Sequence, residues 1–201
     1  MSDTLVAKGS ESKFRPHDEG QFLGQCVDVI DLGQKVHDFP GTPSYLAPTC
    51  AMVFRTGEKN AETGDFIDIA REFTVSMSDK ANLRKFLEQW RGKPYEQADV
   101  DQGVPLHKLT GQFGLLTISH KKSGKGRTYA NITACVGVPK QMRTGQTSYV
   151  DDYTRDPYWA TKKKEYAEAA PRFRGEATTA ATEPDTDEFD GFPEETDDLP
   201  F

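Results

Sequence analysis

The sequence predicts a mainly β fold: five strands with one α-helix between strands 3 and 4, plus a disordered acidic tail. Three observations predict it. Five stretches rich in alternating apolar residues are separated by turns carrying Gly, Pro and polar residues. One segment, residues 79–91, holds apolar residues at helical spacing: Leu83, Phe86, Leu87 and Trp90 recur at i, i+3, i+4 and i+7. From Glu176 to the end the chain holds ten Asp or Glu and no Lys or Arg. Such composition cannot bury enough apolar surface to offset the entropy lost on ordering.

The elements follow in order. Residues 1–20 are polar and aperiodic, and read as a mobile arm that becomes ordered near Phe14. Phe22 to Leu32 is the first strand, with Val27, Val29 and Ile30 among polar residues. Apolar side chains on both faces suit a long strand that curls to close a barrel. Gly33 ends it, and residues 33–44, with Pro40, Gly41 and Pro43, form a loop. The second strand runs from Tyr45 to Thr56, where Cys50, Met52 and Phe54 alternate with Thr49, Ala51 and Arg55. Residues 57–65 are a polar hairpin turn. The third strand, Phe66 to Met77, sets Ile67, Ile69, Phe73, Val75 and Met77 on one side. Arg71 falls on that same side, so its charge must reach the rim or find a partner. Ser78 or Asp79 caps the helix that follows, and Gly92 with Pro94 stops it.

Residues 93–112 form a polar connector with one helical turn near Leu106–Leu109. Strands 4 and 5 then span 113–121 and 127–138, joined by the flexible basic loop Lys122-Ser123-Gly124-Lys125-Gly126. Leu116, Ile118, Ala130, Ile132, Ala134 and Val136 form the expected buried set. Thr117, Ser119, Lys121, Arg127, Tyr129, Asn131 and Thr133 form the opposite one. Five strands with a helix between strands 3 and 4 is the order of the OB-fold, a partly open Greek-key barrel whose loops and sheet bind oligonucleotides. Residues 21–138 therefore read as an OB-fold domain. Residues 139–175 are a basic, aromatic extension. Asp156-Pro157 caps and starts a short helix over 157–169, with Trp159 and Tyr166 on one face. Those aromatics either pack on the barrel or touch DNA. Residues 176–201 are the tail.

Charge narrows the function classes. The 201-residue chain has a net charge of −7, but setting aside the tail's ten acids leaves 25 basic against 22 acidic residues, about +3 for residues 1–175. A mildly basic body and a strongly acidic tail suit a body that binds a polyanion and a tail that does not. Cys26, Cys50 and Cys135 are far apart and follow no metal-ligand spacing, so reduced buried thiols and no metal are expected. No phosphate-cradling loop, nucleophile elbow or metal motif is present, so no catalytic residue and no cofactor is assigned. No apolar run approaches membrane-spanning length and no signal peptide opens the chain, which predicts a cytoplasmic protein away from membranes.

Single-stranded DNA presents phosphates and bare base faces, so its binders need Lys or Arg along the backbone path and aromatics to stack on bases. The outward face of the last hairpin has those parts: Arg127, Tyr129 and Asn131, flanked by Lys121, Lys122 and Lys125. Tyr45, Arg55, His37 and Phe39 lie in or beside the first long loop, which borders the groove in an OB barrel. An OB-like module that docks proteins or mediates recombination, with weak or no DNA contact, is the competing reading. The oligomeric state stays open.

The chain stops at Asp197-Asp198-Leu199-Pro200-Phe201. Phe201 suits a pocket, its carboxylate suits an Arg or Lys, and Pro200 limits the entropy lost on binding. This tip resembles the C-terminal hook of bacterial and phage single-stranded DNA-binding proteins. The segments REFTVSMSDKANLRKFLEQWRGKPY (71–95), GQCVDVIDLG (24–33) and GKGRTYANI (124–132) are similar to small phage-encoded members of that family. The resemblance implies an OB-fold that coats single strands during phage replication or recombination without catalysis. It also implies that residues 197–201 recruit host or phage replication and repair proteins. Only two Asp precede the apolar pair, and Leu199 stands where the family often has Ile.

Overall fold

The structure, a computed structural model, describes residues 15–38, 41, 43–124 and 126–176. The tail beyond Glu176 and the tip therefore lie outside the described residues, as do Phe39, Lys125 and the arm before Arg15.

Five strands are present: β1 (Gly20–His37), β2 (Tyr45–Lys59), β3 (Phe66–Thr74), β4 (Phe113–Lys122) and β5 (Thr128–Gly137). They form one antiparallel sheet in the order β3-β2-β1-β4-β5, which is open, with β3 and β5 as its edges. β1 organises it. Gly20–Gln25 pair with Ile118–Phe113 of β4, and Gln25–His37 pair with Arg55–Tyr45 of β2. The strand outruns its expected end at Gly33. Gly33 sits beside a bulge, and the ladder continues to His37↔Tyr45 because β2 supplies partners beyond it. Long-range pairing here overrides a local breaker, and residues 33–37, expected in a loop, belong to β1.

Two bulges in β1, at Cys26/Asp28 and Asp31/Gly33, let the strand serve two cores. The inner one gathers Cys26, Met52, Phe54, Ile69, Phe73, Leu116, Ile118 and Ile132. Onto it packs α1 (Asn82–Arg91), through Leu83, Phe86, Leu87 and Trp90, the expected stripe. α1 starts three residues later than expected. Its N-cap is Ala81, with no side-chain cap, and Asp79 instead pairs with Arg84 at 2.5 Å. Gly92 stops it as foreseen. A short α2 (Gln97–Gln102) and a 3-10 turn (Leu106–Leu109) lead to β4. Gly114 is required where it stands: a Cβ there would meet the Cys135 sulfur and come within 2.8 Å of the Trp90 ring nitrogen.

The outer core is built from Val27, Ile30 and Leu32 of β1, Ala51 and Val53 of β2, and Ala70 of β3. After α3 (Lys140–Arg143), the helix α4 (Pro157–Glu176) covers this face, longer than the 157–169 expected. Asp156 starts it, its carboxylate accepting from Tyr158 N–H at 2.8 Å. Trp159 is 1% exposed against the sheet, with Tyr166 on the same cluster. Of the two readings of these aromatics, packing holds for Trp159. Arg71 also finds its partner. It reaches across the seam between β3 and β5 and donates to Ile132 O at 2.9 Å and Thr133 O at 3.3 Å, with its guanidinium over Phe73 and Phe86. Burial lowers its pKa from the usual arginine value.

The last residues of the N-terminal arm are held rather than loose. His17 is buried, 2.6 Å from Thr56 Oγ1 and 3.0 Å from Glu58, and its carbonyl meets His120 Nε2 at 2.8 Å. All three cysteines are free and buried. Desolvation raises their pKa, to about 12 for Cys26 and Cys50. In native protein at pH 8, a thiol reagent should therefore label none of them at the rate of a free thiol. All three should react once urea unfolds the chain, and fast labelling of the folded protein would contradict this packing. Among the described residues no helix is long and apolar enough to cross a membrane.

Candidate nucleic-acid interface

The candidate interface is built on the β4–β5 hairpin. Along β4, Leu116 and Ile118 are buried, so Leu115, Thr117, Ser119 and Lys121 point the other way. On β5 the expected alternation fails at one point. A bulge between Thr117 and Ile118 pairs Thr117 with Ala134 but Ile118 with Ile132, leaving Thr133 as the extra residue. The Thr133 hydroxyl donates to Thr117 O at 3.0 Å across it. Beyond the bulge the parity flips: Cys135 is buried, whereas Val136, expected inside, is 43% exposed, and Ala134 joins the outer side. The outer face thus carries cross-strand rows Leu23–Leu115–Val136, Gln21–Thr117–Ala134, Ser119–Asn131 and Lys121–Tyr129.

The hairpin end is tied more firmly than a flexible loop. Buried Ser123 exchanges backbone bonds with Arg127 and Gly126 at 2.8 Å, and its hydroxyl accepts from Arg127 N–H at 3.1 Å. Lys122 and Arg127, both exposed, flank this turn, and Lys122 pairs with Thr128 across it. Lys121, Lys122, Arg127, Tyr129 and Asn131 therefore come together at one end of the hairpin.

The second group of expected contacts divides. Tyr45 is exposed, and its ring stacks on His37 at 5.1 Å with 12° between planes. His37 is only 4% exposed, 3.4 Å from Thr74 Oγ1, so it backs Tyr45 instead of meeting a ligand itself. Arg55 is corrected more strongly. It is 6% exposed and donates to both Asp68 oxygens, at 2.6 and 2.7 Å, beneath Phe66 and the Tyr153 ring. The carboxylate holds its pKa above the usual value. Arg55 and Asp68 are register partners across β2–β3, which the order of residues alone does not reveal. This arginine anchors the C-terminal segment, with Nη1 3.5 Å from Asp152 O, and its buried guanidinium is engaged by Asp68 instead of facing outward as expected.

The sequence carries a further signal, in how its charge is divided along the chain. Residues 102–150 contain seven Lys or Arg and no Asp or Glu, whereas residues 20–74 contain eight acids against four bases. The two halves of the sheet thus differ in charge sign. Comparison with known protein families, curated proteins and solved structures returned no match.

Proposed function

We propose that the chain is a single-stranded DNA-binding protein with an OB-fold barrel. In this reading it coats single strands without sequence preference during phage replication or recombination. It recruits replication or repair proteins through Asp197–Phe201. The observation that best supports the reading is the path of β1. One long bulged strand pairs with β2 and β4, a helix between β3 and β4 packs under the sheet, and Arg71 bridges the open edges β3 and β5. In this reading the strands curl into an OB-fold barrel, which suits oligonucleotides, and the basic, Tyr-bearing hairpin has the residue types that phosphate and base contacts need. The tip and the matching segments support the same assignment from sequence.

The test is fluorescence anisotropy of labelled oligo-dT at low and moderate salt, with an unlabelled hairpin duplex as competitor. Tight binding that weakens with salt and resists the duplex is expected. Its salt slope counts phosphates at about 0.7 per contact for single strands. A version ending at Gly175 belongs in the same titration. Ten tethered carboxylates compete for a basic surface most where charges are least screened, so truncation should tighten binding at low salt and do little at high salt. Silence from both versions would favour the protein-docking alternative.

A further inference from the structure

We propose that single-stranded DNA crosses the outer face of the β4–β5 half of the sheet, against Tyr129 and past the cations of the hairpin turn, Lys122 and Arg127, and not the outer face of β1–β3. This rests on the single-stranded DNA-binding reading and assigns the strand a path within it. Three observations carry it. First, the β1–β3 face is occupied. α4 seats Trp159 on Val27, Ile30, Leu32, Ala51, Val53 and Ala70. Second, carboxylates line that face and its margin. Asp28 binds Arg155 at 2.7 and 2.8 Å, Asp31 binds Lys163 at 2.9 Å, and Glu72 binds Lys162, Lys35 and the Tyr166 hydroxyl. A polyanion replacing α4 would meet these acids stripped of their partners, whereas a basic helix satisfies them. Third, the β4–β5 half lies within the acid-free stretch, while α4 is seated against β1 and α1 packs on the inner side. That face offers hydrogen-bonding Gln21, Thr117, Ser119 and Asn131 beside an apolar row ending in exposed Val136. Base edges and faces need such a mixture, and the cations at the turn suit the phosphates.

The path is tested by anisotropy of oligo-dT at 0.15 M salt, where charges more than about 8 Å away are largely screened. The Lys122→Glu/Arg127→Glu double variant of the full chain is expected to bind at least tenfold more weakly with a lower salt slope. Tyr129→Ala is expected to lose roughly tenfold, within the range for one stacked base. The charge reversal on the exposed side of α4, Lys164→Glu, should stay within twofold of the wild type. Circular dichroism and thermal midpoints establish that each variant folds. The charge pair, on exposed side chains, keeps the test valid if Tyr129→Ala does not. If the α4 reversal abolishes binding while the hairpin variants bind normally, the path is wrong although the protein binds DNA. If every variant binds like the wild type, the path is equally wrong. A wild type and a Gly175-terminated version that both fail to bind would instead remove the reading beneath it.

Discussion

Glu72→Gln should destabilise the protein by roughly 3–5 kcal/mol, the range for breaking a buried ion pair by removing one partner. Glu72 lies on β3 with its side chain 5% exposed, at the point where α4 meets the sheet. It receives Lys162, itself almost fully buried, Lys35 at 3.4 Å and the Tyr166 hydroxyl at 3.0 Å. Glutamine keeps the shape but leaves an ammonium buried without its counter-ion, so the loss exceeds that of one neutral hydrogen bond. Urea unfolding followed by tryptophan emission measures it, with Trp90→Phe and Trp159→Phe backgrounds to assign the signals. Emission from Trp159 should shift to the red before that from Trp90, because α4 detaches from a sheet that α1 still supports. A Lys162→Met/Glu72→Met double variant should recover much of the loss, since two well-packed apolar residues can replace a buried pair nearly neutrally. A change below about 1 kcal/mol in Glu72→Gln would mean that water already solvates this pair and that α4 is held by Trp159 alone. Acid should act in the same direction through a neighbour. The hydrogen bond from Lys163 holds the Asp31 carboxyl below its ordinary value. The stability it contributes is therefore present above the ordinary carboxylate pKa and is lost as pH falls through the lowered one.

The elements that sequence reading locates are those whose signal is local. The α1 stripe recurs every three or four residues, so Trp90 and its neighbours are legible in the sequence alone. Asp156-Pro157 marks the α4 start for the same reason: both act on the backbone beside them. What escapes is decided by a partner strand. β1 passes Gly33 because β2 is there to pair with it. The bulge opposite Thr117 reverses the parity of Ala134 and Val136, and alternation counted along β5 cannot register one extra residue. Arg55 reads as an outward cation until the β2–β3 register sets it against Asp68. For the candidate site the position of Tyr129, Arg127 and Lys122 on one hairpin is legible, since a hairpin turn is local. That the neighbouring face belongs to α4 is not, because nothing in residues 157–170 names the strands they cover. The charge contrast between residues 20–74 and 102–150 is fully present in the sequence, but a sum over the whole body hides it.

Trp90→Ala should cost about 3–5 kcal/mol, the range for truncating a buried aromatic of this size, and should disturb the candidate interface from behind. The ring lies 5.4 Å from Phe54 and 6.2 Å from Phe86, and its N–H donates to Phe113 O at 3.0 Å. Truncation therefore opens a cavity and also strips a donor from the first residue of β4. Gly114 and Gly137 pair across the β4–β5 ladder and both stand against this residue, the one beneath its ring and the other beneath its backbone carbonyl. The space they leave exists only because Trp90 fills it. Trp90→Phe restores most of the volume but not the hydrogen bond, so it should cost clearly less than Trp90→Ala, and the difference separates packing from the bond to Phe113. The measurement is the urea midpoint of each variant beside its amide exchange in β4 and β5. Loss of protection in residues 113–116 and 135–137, with β2 and β3 still protected, is expected for Trp90→Ala. Uniform loss across the sheet would mean that α1 supports the fold as a whole and has no special hold on the hairpin. If exchange is confined to that hairpin, oligo-dT affinity should fall with it, because Arg127 and Tyr129 owe their position to strands that α1 braces from the inner side.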